Sequence, residues 1–243
     1  MRSTGDAARS KCLTNDPFRW HAARARLGDT MPARRGRYNV HIDGKWSLED
    51  LYIFPRTYEQ IYYAWQTFGP SDDDITEDRI ARAFHIFPWQ GGYSAVNFYN
   101  QLKYITPARQ RPQIISIQYG SPGAIELQLA VSLAKDIAGA VMLISGSIIA
   151  CNKAYHDVYT GMQKRELLRI KNEKETIELV KKHRKFLEES AHTMMEILSV
   201  PDAIILGNRT ESDLLTTKIL LSLFRRIRTL AEFQNRGKVD FGK

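Results

Sequence analysis

The sequence predicts an α+β protein: a small β-α-β-α-β unit over residues 37–120, followed by a helical region over 121–236. Three patterns predict it. Tyr38-Asn39-Val40-His41-Ile42 alternates polar and apolar residues, and Ile114-Ile115-Ser116-Ile117-Gln118-Tyr119 is a β-branched run bounded by turn residues, so both read as strands. Between them, apolar residues recur at three- and four-residue steps, as on one side of a helix. After Ser121-Pro122-Gly123 the apolar residues become nearly continuous and then settle into a seven-residue repeat.

Residues 1–36 show no hydrophobic period and hold +5 of the formal net charge of +8, so they read as a disordered basic tail, with Met31 as an alternative start. They lack the apolar core of a secretory signal, and Asp6, Asp16 and Asp29 do not suit a transit peptide. After the first strand and the Asp43-Gly44 turn, Ser47 and Asp50 form a capping-box start for a short helix that Pro55 is expected to end or kink. Thr57 with Gln60 opens a second helix, carrying Tyr58, Ile61, Tyr62, Trp65 and Phe68 and closing at Gly69-Pro70. Residues 79–87 fit either a helix or a strand, and Pro88 favours the strand. Ala95, Val96, Tyr99, Leu102 and Ile105 mark a helix over 94–105, with the strand at 114–119 completing the unit.

Residues 124–152 read as one hydrophobic helix, with small residues recurring at every fourth position, Ala130, Ala134, Ala138, Gly146 and Ala150, with Met142 the exception. This stripe is expected to pack on a last helix at about 212–234, which carries Leu215, Ile219, Leu223, Ile227 and Leu230 and ends at Gly237. Residues 237–243 read as a tail. Between the two helices, Ile170, Ile177, Val180, Leu187, Met194 and Leu198 lie on a heptad seam of coiled-coil type, an interaction surface for a protein partner or a homo-oligomer.

A membrane-spanning helix needs about 20 apolar residues, and the uncharged run from Ile137 to Asn152 falls short of that. The expectation is therefore a cytoplasmic protein, with membrane association through residues 124–152 as the alternative. The two cysteines, Cys12 and Cys151, are too few for a disulfide framework.

The chain has no P-loop, zincin, nucleophile-elbow, dinucleotide-fold or EF-hand pattern, which leaves an enzyme with scattered site residues as the third choice. No cofactor is expected, and His41, His85, His183, His192 and Cys151 have no metal-ligand spacing. In Pro88-Trp89-Gln90-Gly91-Gly92-Tyr93-Ser94, the amides of Gly91, Gly92 and Ser94 are an anion-binding candidate beside a helix start; the plainer reading is a tight connection. His156-Asp157 reads as solvated or capping, because helical neighbours point about 100° apart. Fifteen of 25 aromatic residues lie between Trp46 and Tyr104. They could stack nucleic-acid bases, but few basic residues interleave with them, so core packing comes first and a nucleic-acid-binding protein second.

The segment Ser116-Ile117-Gln118-Tyr119-Gly120-Ser121-Pro122-Gly123-Ala124-Ile125-Glu126-Leu127, followed by an apolar and then a charged helix, resembles a layout of bacterial proteins with a small α/β domain, among them effector-associated domains of conflict systems. The resemblance covers residues 37–190 in layout and about twelve residues in detail. It implies a protein-interaction or membrane-associated role and carries over no catalytic position; the seam and the missing catalytic motifs make the expected module a non-enzymatic one.

Overall fold

The computed structural model describes residues 34–71, 73–86, 93–171, 177–200, 203–210 and 212–242. Among them the chain is α+β, with a four-stranded antiparallel sheet and eight α-helices. The first strand, β1 (Arg35–Ile42), buries Val40 and Ile42, the apolar half of the alternation. It begins two residues inside the expected tail; residues 1–33 lie outside the described residues.

The capping box forms as its residues predict: the Asp50 amide donates to Ser47 Oγ at 3.1 Å, and the Ser47 amide donates to Asp50 Oδ2 at 2.8 Å. The helix it opens, α1 (Leu48–Thr67), continues through Pro55, contrary to the expected break. An interior proline costs about 3 kcal/mol, but Phe54, Tyr58, Ile61, Tyr62 and Trp65 are all buried on the same helix, and their packing outweighs it.

Residues 79–86 are helical, not a strand. They belong to α2 (Asp74–Ile86), which begins where the Thr76 amide donates to Asp73 Oδ1 at 2.7 Å. Ile80, Ala83 and Phe84 are the buried i, i+3, i+4 set, and Phe84 meets Phe98 edge-on at 5.2 Å. Phe98 lies on α3 (Tyr93–Ile105), which leads through a 3-10 turn at Ala108–Gln110 into β2 (Gln113–Gln118).

The expected helix over 124–152 is three elements. Gly123–Ala130 is β3, Val131–Gly146 is α4, and Ile148–Lys171 is α5. Ile125, Leu127 and Leu129 are buried at a two-residue period, and the whole of β3 pairs with β1 from Arg35↔Ala130 to Ile42↔Gly123. Only glycine fits at position 123, since a Cβ there would lie 2.5 Å from the Gln118 carbonyl oxygen.

The sheet order is β2-β3-β1-β4, where β4 is Val239–Asp240. Two expected boundaries disappear with it. Residues 31–243 form one unit and not two domains meeting at 120/121, because β3, from beyond that point, sits between β2 and β1. Nor is 237–243 a free tail, since Val239 pairs with Ile42 and both Val239 and Phe241 are buried.

The heptad helix is also divided, into the end of α5 and α6 (Ile177–Leu198). After α7 (Ala203–Thr210), the last helix, α8 (Asp213–Asn235), matches its expected range and ends before Gly237, at φ +67°. α8 is the core helix, packed against α1, α4, α5, α6 and α7, with Ile219, Leu220, Leu223, Phe224, Ile227 and Leu230 buried. α4 packs on it as expected, and Ala134 and Ala138 are buried, but Met142, Gly146 and Ala150 are exposed, so the small-residue stripe is buried only over its first half. α7 is tied in by Arg209, whose buried guanidinium forks onto the Glu77 carboxylate and also reaches the carbonyls of Thr67 and Gly69. Among the described residues no single helix is long and apolar enough to cross a membrane.

Candidate functional site

Strand order leaves β2 at the edge of the sheet, and all six of its residues are exposed. Ile114, Ile115 and Ile117 are 50%, 43% and 51% exposed, and the strand carries no charge. Ile114 lies opposite Leu127 and Ile117 opposite Ile125, so the extra residue between Ile114 and Ser116 puts both isoleucines on the core side. Gln113, Ser116 and Gln118 face the other side, opposite Gln128, Glu126 and Ala124. Among the described residues β2 pairs on one flank only.

Beside this edge lies a cleft of about 520 Å³ between α1, α3 and the core side of β2 and β3. Ile125, Leu127 and Phe54 supply buried apolar lining, and Pro55, Pro112 and Ile114 supply more exposed apolar parts. Tyr52, Arg56, Glu59 and Tyr63, spaced by four, three and four residues, form one stripe along α1, while Tyr99 and Lys103 stand one turn apart on α3. The Glu59 carboxylate binds the two helices together: its Oε1 accepts from Tyr63 Oη at 2.9 Å and lies 2.9 Å from Lys103 Nζ.

Two buried phenols in the lining, Tyr58 and Tyr99, have hydroxyls without a partner among the described residues. Burial pushes the Tyr58 phenol well above its ordinary value, and burial followed by the Glu59 charge raises that of Tyr63, so both remain neutral donors. From α8, Arg226 stacks on the Tyr99 ring at 3.7 Å and donates through Nε to Gln60 Oε1 at 2.8 Å. It therefore positions two lining residues from behind. The cleft lining contains no Ser, Thr, Cys or His among the described residues. Its chemistry suits holding a ligand by apolar contact, phenolic hydrogen bonds and two side-chain cations.

The sequence-predicted candidates fall elsewhere. Gly91 and Gly92 lie outside the described residues, and Ser94 sits in the first turn of α3, outside the residues whose side chains are described. Of the expected seam, Ile170 and Ile177 lie outside the residues whose side chains are described, and Val180 is 48% exposed. Leu187, Met194 and Leu198 are buried inside the chain, where α6 packs on α8, and so are not available as an intermolecular seam. The aromatic concentration is largely core, with Tyr62, Tyr63, Trp65, Phe68, Phe84 and Phe98 among the most deeply buried side chains.

Sequence reasoning missed Glu59, Tyr63, Lys103 and Arg226 as a group. The available signal was the arginine inside the apolar stripe of α8, next to Leu223 and Ile227, where a cation must find a partner. Compared with family models, with curated proteins and with solved structures, the chain finds no match.

Proposed function

We propose that the protein is an interaction and assembly module that adds a second copy of itself, strand to strand, along β2. The observation that carries this reading is the open, uncharged, isoleucine-rich edge. Such an edge presents unpaired backbone donors and acceptors, which another strand satisfies at little desolvation cost. The strand is close to a palindrome. Antiparallel pairing about a two-fold axis between Ile115 and Ser116 sets Gln113 against Gln118 and Ile114 against Ile117, each pair on one face because of the bulge. No like charges meet in that arrangement.

This keeps the assembly role implied by the resemblance to effector-associated domains but moves its surface from the helices to the sheet. A cytoplasmic setting goes with it, supported by Cys151, a free buried thiol. Light scattering at tens of micromolar tests the proposal. The expected species is a dimer, and Ile117→Lys should give a monomer with unchanged circular dichroism. A strictly monomeric wild type, or a dimer that persists in Ile117→Lys, rejects it.

A second reading, membrane contact, has one observation in its favour. α4 and α5 meet at 94°, and at this corner Met142, Leu143 and Ile149 are 48%, 44% and 84% exposed. Flotation with anionic vesicles, lost in Ile149→Glu, is the outcome that reading requires.

A further inference from the structure

The cleft borders the sheet edge and shares Gln113 and Ile114 with it, but it has the dimensions and lining of a small-molecule site. Its volume of about 520 Å³ lies in the range of ligand pockets, and its walls combine apolar surface with a few convergent polar groups. We propose that it binds an amphipathic aromatic carboxylate, with the ring system over Phe54, Ile125 and Leu127 and the carboxylate toward Lys103 and Arg56.

Three observations on the lining point to this class of ligand. Its flat members, Tyr52, Tyr63, Tyr99, Pro55 and Pro112, offer faces and edges that suit a planar body better than a flexible chain. The side-chain charges on the lining are Arg56, Lys103 and Glu59, two cations to one carboxylate, so an anionic head is favoured over an ammonium. Glu59 is already engaged through Oε1 by Tyr63 and Lys103, which holds Lys103 beside the cavity while leaving hydrogens on Nζ for a further acceptor. Arg56 is held one turn along α1 by the Tyr52 hydroxyl, and its guanidinium lies 5.4 Å from that ring.

Tyr58 and Tyr99 form the rigid back wall of the cavity. Both residues line the cavity, both are at least nine-tenths buried, and neither hydroxyl meets a partner among the described residues. Arg226, stacked on Tyr99, and Phe241, stacked on Tyr58 at 6.4 Å, hold the two rings in place without using either hydroxyl.

The experiment uses the full chain with naphthoate as the probe, followed by calorimetry and probe fluorescence, beside the neutral naphthamide and the cationic naphthylmethylamine. Naphthoate should bind, naphthamide should bind roughly tenfold more weakly, and the amine should not compete. Lys103→Gln should weaken naphthoate about tenfold while leaving naphthamide unchanged, and Lys103→Arg should restore most of the loss. Arg56→Gln, at an exposed position on α1, provides a second charge variant should Lys103→Gln melt early. No naphthoate binding at millimolar concentration, equal affinity for acid and amide, or an affinity unaffected by both charge removals would each overturn the proposal.

Discussion

The two ends of the sheet are finished in opposite ways. At one end β4 contributes only Val239 and Asp240 and is sealed at once: Phe241 is buried against Tyr58 and Phe54, the Phe241 amide donates to Gln234 Oε1 at 2.9 Å, and Lys238 Nζ meets Asp50 Oδ2 at 2.6 Å. At the other end β2 runs for six uncharged residues with three half-exposed isoleucines and no cover among the described residues. A very short, capped edge is a common defence against strand addition, whereas a long neutral one invites it. The bulge at Ile115 is a protective device on the open edge, and it also brings the two inward isoleucines into matching positions. The difference teaches that cover, rather than the apolar character of a residue, separates a structural edge from an available one.

The sealed end is where substitution should cost most. Phe241→Ala removes a buried ring from the cluster with Phe54 and Tyr58 and should destabilise the protein by about 3–4 kcal/mol, lowering the melting temperature by roughly 10 °C in thermal denaturation. A loss under about 1 kcal/mol would mean that the last residues do not close the sheet.

One strand inward, the contrast is sharper because the two residues lie opposite one another. Ile125 on β3 is 2% exposed and Ile117 on β2 is 51% exposed. Ile125→Ala should cost about 2–4 kcal/mol in denaturant unfolding, against about 1 kcal/mol or less for Ile117→Ala measured on dilute protein. Equal costs would show that β2 is covered after all.

A smaller effect, with a pH signature, belongs to Asp50. Its carboxyl is held down at about 2, first by the Lys238 hydrogen bond and then by the Ser47 amide, against an ordinary value of 3.8. A carboxyl with a lowered folded-state value stabilises the fold above its ordinary value, and that stabilisation is lost as pH falls through about 2. Asp50→Asn should therefore cost about 1–2 kcal/mol near neutrality and nothing at the acid end, as read from urea midpoints across the pH range. A cost independent of pH would place the effect in helix capping instead.

The smallest expected change is on the open edge. Ile115→Lys, at the bulge, should alter the stability of dilute protein by less than about 0.5 kcal/mol while abolishing self-association in sedimentation velocity. Retained association would show that the contact lies elsewhere on the surface.

Much of the local structure was legible in the residues. The capping box of Ser47 and Asp50, the alternation at Tyr38–Ile42, the helical spacing at 94–105 and the stripe of α8 ending at Gly237 are decided within a turn or two of chain, and each appears in the structure. The departures have two causes, distant packing and a cap a few residues upstream. Pro55 is a helix breaker by propensity but is carried by the aromatic residues around it. In residues 79–86, Ile80, Ala83 and Phe84 have helical spacing, but the capping residue, Asp73, stands six residues before the stretch begins. β3 was merged with α4 because an apolar alternation running into an apolar helix has no composition break; it becomes a strand by pairing with β1, some 90 residues away in sequence.

The cleft shows the same division. Each of its residues was visible as an aromatic, a charge or an apolar strand position, yet Tyr63, Lys103, Ile125 and Arg226 come from four separate elements, and only their packing makes one site. Near neighbours in the chain were enough for the α+β class, the limits of α3 and α8 and the identity of the strand that becomes β2, because backbone periods and caps depend on them. Tertiary structure alone decided that β3 stands between β2 and β1, that the heptad residues turn inward onto α8, and that β2 is left bare. The physical reason is that burial depends on which distant surface arrives to cover a side chain, and no local pattern encodes that arrival.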